Sequence, residues 1–366
     1  MGQNHITKPH YEILNGLRGV AAIMVVAFHV CEAYPTNYIY RAYMAVDFFF
    51  MLSGFVIGYA YDDRWGKMSV GNFLKRRLFR LHPMVIFGTL LGVILFYFGA
   101  STIFPIIKDV PVWKLLLYAM MGMLLIPTTP KMDIRGWKEM YTLDAPIWSL
   151  FFEYIANILY ALFIRRFSKI ALAILVTLAA GATCYLTLTN GDVIGGWEFS
   201  GHHLHIGFTR LIFPFFAGLL LFRIGKKIHI RQAFTWSSLL LAAVLIVPRI
   251  GGDENIWMNG LYEAIVIIIV FPIIVLMGAG GEVKDKLTAK VCKFLGDISY
   301  PVYLVNYPLC YIHIGWLRLS ATGTETKYTF AQVWWVSASV FVASILIAYL
   351  ALKFFDEPIR KFLSKK

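Results

Sequence analysis

Charge is scarce in this sequence. Of 366 residues only 15% are Asp, Glu, Lys or Arg, against about 25% in an ordinary soluble domain. That deficit excludes a soluble two-domain enzyme and a disordered chain. Cysteine is scarce too. Cys31, Cys184, Cys292 and Cys310 are the only four, with no Cys-x-x-Cys pair and no metal-ligand spacing, so they read as isolated thiols and not as a disulfide scaffold or a zinc site. Phosphate-cradling signatures are missing as well. Without a Walker A or Gly-x-Gly-x-x-Gly run, an ATP-driven pump or a Rossmann enzyme has no support. No internal repeat, low-complexity tract or soluble domain stands out. The opening Met1–His10 is polar and lacks the apolar core of a cleavable signal, and Ile6 stands where a myristoylation signal needs Ser or Thr.

What is abundant is apolar. The 59% of hydrophobic residues amount to about 216 side chains, enough for ten membrane spans of roughly 20 residues each. The mean hydropathy is +0.66. The apolar runs are continuous and too long for barrel strands, so the expected fold is an all-α, polytopic bundle of transmembrane helices. Ten spans are predicted, near 13–34, 43–61, 84–104, 147–164, 169–189, 207–224, 233–250, 259–278, 298–317 and 330–353. An eleventh stretch, 112–127, is short and reads as re-entrant or interfacial.

The net charge of +13 is read as basic residues retained on the cytoplasmic face, not as a nucleic-acid surface. With ten spans and the N-terminus inside, twenty-three Lys and Arg fall inside and nine outside, while Arg18 and Arg210 lie within spans. Making 112–127 a full crossing would reverse that bias. Both ends are therefore expected to be cytoplasmic.

Ionisable groups inside spans are costly and mark interiors or aqueous cavities. Arg18 and His29 are eleven residues apart on the first span, nearly on one face and about 16 Å apart along the axis. Asp47 and Glu153 enter their spans from the outer end, so His29, Asp47 and Glu153 are expected to share a depth of roughly 6–10 Å below the outer surface. A histidine with neighbouring carboxylates is what a general base needs, since the carboxylate fixes the tautomer and stabilises the imidazolium. A helix-joining hydrogen bond and a transporter's proton relay are the alternatives. In the basic run KRRLFRLHP, Lys75, Arg76, Arg77 and Arg80 form either a topogenic cluster or, through their guanidinium forks, a phosphate-binding site.

Other candidates are weaker. His202, His203 and His205 lack a carboxylate that would complete a metal set, so no metal site is expected. Trp148 falls near a span end, as an aromatic belt would place it. Pro301 and Pro308 flank Asn306 and can break that helix towards a cavity lined by Asn306 and Tyr303, while helix-packing hydrogen bonds explain the two polar groups equally well.

Taken in order, these segments resemble a known family. LNGLRGVAAIMVVAFH, with Arg18 and His29, is similar to the first-span motif of the acyltransferase 3 family of bacterial integral membrane acyltransferases. DFFFMLSGFVIGY, led by Asp47, resembles its second-span signature. Arg77 and Arg80 stand as its Arg-x-x-Arg motif, and IWSLFFEY supplies Trp148, Ser149 and Glu153 as its Trp-Ser-Leu-x-x-Glu pattern. LGDISYPVYLVNYPL and DEPIRKFL resemble its last two signatures, so the match runs from residue 11 to the end. Two departures are Asn15, where the family often has Asp, and Asn306, where it commonly has His.

The resemblance implies a single transmembrane acyltransferase domain over residues 1–366, with no appended extracytoplasmic domain. It implies transfer of an acyl group, most often acetyl, from cytoplasmic acyl-CoA to a hydroxyl of an extracytoplasmic or lipid-linked glycan. Lipopolysaccharide, exopolysaccharide, peptidoglycan and periplasmic glucans are among the acceptor classes. On this reading His29, Glu153 and Asp47 are catalytic. Arg18, Lys75, Arg76, Arg77 and Arg80 bind acyl-CoA, and Trp148, Ser149, Arg210, Tyr303 and Asn306 line the substrate cavity. Partners are acyl-CoA, the saccharide acceptor and membrane lipids, with no nucleic acid and no metal. The alternative is a proton-coupled transporter or flippase of a glycan or anion, which leaves the Arg-x-x-Arg segment without a task.

Overall fold

The computed structural model describes residues 11–35, 39–252, 254–320 and 325–364. The polar first ten residues, with Lys8 of the charge count and the expected lack of a targeting signal, lie outside the described residues. So do Lys365 and Lys366.

Among the described residues the regular structure is helical, apart from one isolated bridge between Arg318 and Thr326. The chain begins with α1 (Glu12–Cys31), α2 (Ala45–Tyr61), α3 (Val70–Leu95) and the short α4 (Val112–Met123). It continues with α5 (Ile147–Leu162), α6 (Lys169–Asn190), α7 (Gly201–Ile224) and α8 (Ala233–Ile246). Next, α9 (Ile256–Ile265) passes through a π turn at Val266–Val270 into α10 (Phe271–Gly280). The long α11 (Lys286–Leu317) follows, and α12 (Phe330–Ala351) passes through a second π turn, Leu352–Asp356, into α13 (Glu357–Ser364).

Seven of these helical stretches are long and apolar enough to cross a membrane. The shorter α5 and α8, together with the longer and more polar α11, give every one of the ten expected spans a helix of its own. The stretch at 112–127 holds the shortest of the apolar helices. At twelve residues, α4 is about 18 Å long against a hydrocarbon core of about 30 Å, and Leu125 then turns the chain with φ 56°.

Local sequence sets several of the ends. Ser69 accepts a hydrogen bond from the Asn72 backbone at 3.1 Å and starts α3. The span expected at 84–104 therefore runs from 70 to 95, and the basic segment expected in a loop is helical. Asp285 caps α11 through the Thr288 backbone at 2.7 Å. Thr329 and Gln332 form a capping box on α12. Gly191 and Gly225 close α6 and α7 at φ 80° and 75°. Pro301 and Pro308 do not break α11, which is continuous through both.

Small residues let the central helices touch backbone to backbone. A Cβ at Gly54 of α2 would lie 1.8 Å from the Phe215 carbonyl oxygen of α7, and one at Gly218 would lie 1.9 Å from the Met51 carbonyl. Likewise α1 lies on α11, where a Cβ at Gly19 would meet the Leu295 carbonyl at 2.4 Å. These contacts fix α1, α2 and α11 around a polar hollow that α3, α5 and α13 complete. Glu12 of α1 and Arg360 of α13 both line it, so the first and last described helices meet at one end of the bundle.

Candidate functional site

The hollow is a cavity of about 560 Å³. Its mouth carries exposed Glu12, Lys290, Lys293 and Asp297, together with Arg360. Its inner end is closed by Ser149 and Tyr303, with the Phe49 ring edge-on to Tyr303 at 5.6 Å. Arg18 is held in the wall by α11, donating to Ser299 Oγ at 2.8 Å and to the Gly296 carbonyl at 2.9 Å. A guanidinium anchored through two of its nitrogens keeps its remaining donors in a fixed direction.

Across from it, Glu153 accepts from Arg77 Nη2 at 2.6 Å and from Ser53 Oγ at 2.7 Å. Three helices meet at this carboxylate: α2 through Ser53, α3 through Arg77 and α5 through Glu153 itself. Arg77 is 4% exposed and Glu153 16%, so the pair is largely shielded from bulk water and only weakly screened. At the inner end Ser149 Oγ and Tyr303 OH are 2.8 Å apart, and Ser149 also donates to the Pro146 carbonyl at 3.0 Å.

The expected depth match of His29, Asp47 and Glu153 is not a shared cluster. His29 Nδ1 lies 3.0 Å from Glu32 Oε1, one turn on along α1. Its ring also stands edge-on to Tyr307 of α11 at 4.6 Å. Asp47 is fully buried against Arg210, with Nη2 at 2.8 Å and Nε at 3.3 Å. Glu153 belongs to Arg77. Position along a span gives depth but not azimuth, and the two carboxylates that depth alone could offer the histidine are paired instead with two different arginines. Glu32, two residues before the end of the first expected span, is the partner the spacing did not single out.

Five residues expected to share one binding role also divide. Arg18, Arg77 and Arg80 line the cavity, while Lys75 and Arg76 do not. The reason is helical: on α3, Arg77 and Leu81 turn inward and are buried, whereas Lys75 and Arg76 are exposed.

Of the expected cavity residues, Ser149 and Tyr303 line it. The other three are corrected. Asn306 has both donors occupied by its own helix, at the Val302 and Tyr303 carbonyls (2.9 and 2.7 Å). Arg210 spends its remaining donors on the Gly195 and Tyr43 carbonyls at 3.1 and 2.8 Å. Trp148 packs under that guanidinium, 5.2 Å from its ring centroid.

Two buried polar groups went unseen in the sequence. Arg41, read there only as one outer-loop cation, is completely buried. It bonds Glu263 at 3.0 Å, and Tyr43 donates to the same carboxylate. In the segment between α4 and α5, Tyr311 donates to buried Glu139, and the Arg135 guanidinium stacks 3.5 Å over the Tyr311 ring. Burial pushes the Glu139 carboxyl up to about 8, partly offset by the Tyr311 hydrogen bond and Arg135. No outward sign in the sequence separates these residues from ordinary loop charges. Among the described residues no cluster of His, Cys, Asp and Glu could hold a metal ion.

The arrangement offers an elongated, charge-lined chamber closed at its inner end by Tyr303, and a histidine–carboxylate pair at the far end of α1. A family model described as an acyltransferase domain matches residues 11–353. Protein 2 in picA locus of Rhizobium radiobacter is 33% identical over 156 residues, which cover 41% of this chain and 80% of that protein. Peptidoglycan O-acetyltransferase OatA of Listeria monocytogenes is 23% identical over 383 residues, covering 95% of this chain and 55% of OatA. The chain thus spans about half the length of that relative. No solved structure matches the chain.

Proposed function

The chain belongs to the acyltransferase 3 family and is a multi-pass membrane transferase that acylates a hydroxyl; on that premise we propose how it does so. Acyl-CoA, most often acetyl-CoA, enters the 560 Å³ cavity from the cytoplasm with its thioester leading. The acceptor is a hydroxyl of an extracytoplasmic or lipid-linked glycan, which approaches from the opposite face of a bacterial inner membrane. His29 is the general base. Its imidazole takes the hydroxyl proton, the oxygen attacks the thioester carbonyl, the C–O bond forms as the C–S bond breaks, and the thiolate leaves with a proton as free CoA.

The single observation that supports this reading is the cavity itself. It runs from a charged mouth to the Ser149–Tyr303 pair, along the same helix α1 that carries Arg18 near the mouth and His29 beyond the inner end. Eleven residues of α1 span about 16 Å, a distance for an extended pantetheine arm and not for the whole cofactor. His29 does not line the cavity, so Phe49 and Tyr303 have to part for the thioester to reach it.

Mass spectrometry of surface glycans from cells with and without the gene tests the proposal. The expected result is loss of an acyl mass, restored by the wild-type gene. Identical glycan masses in both strains, with purified protein that releases no CoA in the presence of those glycans, would overturn it.

A further inference from the structure

A second, far smaller hollow lies where the segment before α5 docks on α3 and α4. It measures about 10 Å³, the room of a single water-sized particle. Glycines of α3 seat that segment. A Cβ at Gly92 would lie 2.2 Å from the Leu143 carbonyl oxygen, and one at Gly88 would lie 2.2 Å from Asp144 Oδ2. Four oxygens of the lining, both of the Asp144 carboxylate and the hydroxyls of Thr89 and Thr142, have no hydrogen-bond partner among the described residues. Asp144 and Thr89 are completely buried and Thr142 is 2% exposed. A fifth oxygen borders the same spot. The Leu304 carbonyl of α11, 3.3 Å from the Gly88 Cβ position, lacks its usual helical donor because Pro308, four residues on, has no N–H.

A buried carboxylate without a counter-charge is costly. The buried arginines of α3 and α7 are committed elsewhere, Arg77 to Glu153 at 2.6 Å and Arg210 to Asp47 at 2.8 Å. Arg135 donates to the Thr142 carbonyl at 3.0 Å and stacks on Tyr311. The charged side chain that bears on Asp144 is another carboxylate, Glu139. We propose that Asp144, Thr89 and Thr142, with the Leu304 carbonyl, hold one sodium ion. A single carboxylate balances a single positive charge, which selects a monovalent ion. Hard cations take carboxylate, hydroxyl and carbonyl oxygens, and a hollow of water size suits sodium better than the larger potassium. The ion ties α3 and α11 to the turn that starts α5. That turn supplies the Pro146 carbonyl, which accepts from Ser149 Oγ at 3.0 Å and from Tyr303 OH at 3.4 Å. The sodium site therefore holds the closed end of the large cavity in place, whatever donor that cavity takes.

The full-length protein, purified in detergent, is melted in sodium, potassium and choline chloride at equal concentrations, and bound radioactive sodium is counted after equilibrium dialysis. The melting temperature of the wild type should rise with sodium to a plateau, rise less with potassium and stay level with choline, because an ion that binds only the folded state stabilises it in proportion to its occupancy. Bound sodium should saturate at one ion per chain. Asp144→Asn keeps the shape and removes the charge, so it should melt alike in all three salts and bind no sodium. Thr89→Val and Thr142→Val each remove one oxygen at nearly constant volume and should need about tenfold more sodium for the same stabilisation. These two variants carry the test if Asp144→Asn does not fold. Equal melting of the wild type in sodium and choline, with no bound sodium, means that the carboxyl carries a proton and overturns the proposal. Sodium dependence that survives in Asp144→Asn, or is unchanged in both threonine variants, puts the ion elsewhere and overturns it too. Stronger stabilisation by potassium than by sodium overturns the choice of ion.

Discussion

His29 is held through its Nδ1 by Glu32 at 3.0 Å, which leaves Nε2 as the atom that would accept a proton. Replacing His29 with Ala should lower transfer by about 10²–10⁴-fold, the usual contribution of a general base, with the protein still inserted and folded. CoA release by the purified variant measures this. Near-normal turnover would remove His29 from the chemistry. Asp47 differs from His29 in kind, because its carboxylate is enclosed by Arg210 and has a structural task. Arg210→Ala leaves a buried carboxylate unpaired and should destabilise the protein by about 3–5 kcal/mol, read by thermal unfolding in detergent. Glu139 adds a pH dependence. Its carboxyl titrates near 8 in the folded protein against an ordinary 4.5, so between those values the folded state binds more protons than the unfolded state and stability falls as pH rises. The melting temperature should therefore decline from pH 5 to pH 8 and level off above, and Glu139→Gln should flatten the slope. Sequence spacing placed His29, Asp47 and Glu153 at plausible depths, but pairing depends on the rotation of each helix about its axis. That rotation is set by contacts such as Gly54 on Phe215, which no single span reveals.

At the scale of the helix, α3 carries the most information. Its start at Ser69 makes the basic segment a helix with two faces, one turned to Glu153 and the other exposed. Apolar runs locate a span by its hydrocarbon-facing part, which is why about the first four turns of α3 and the first three of α11 escaped a hydropathy reading. The α2–α7 contact is the tightest test of the packing. Gly54→Ala brings a Cβ to 1.8 Å from a backbone oxygen, where no side chain can yield, so the variant should lose folded protein in detergent size-exclusion profiles. Gly66→Ala, with nothing within 4 Å, should elute as wild type. Tyr303 of α11 stands at the inner end of the cavity against Ser149 and Phe49. Tyr303→Ala should open that end to water and raise acetyl-CoA hydrolysis in the absence of a glycan acceptor, measured as free thiol.

For the whole molecule, hydropathy carried most of the fold. Ten apolar runs became ten helices, and 112–127 stayed short because α4 has only twelve residues. The first and last described helices meet at the cavity mouth through Glu12 and Arg360. The composition of the cavity was less legible, since its walls come from α1, α2, α3, α5, α11 and α13 and only folding brings them together. The central claim is that donor and acceptor meet from opposite sides of the membrane, and one measurement addresses it directly. The purified protein is reconstituted into sealed vesicles that enclose the acceptor glycan, and labelled acetyl-CoA is added outside only. The account predicts labelled ester on the enclosed glycan, dependent on His29, while the CoA product stays outside. Label that reaches the glycan only when donor and acceptor share one compartment would contradict it.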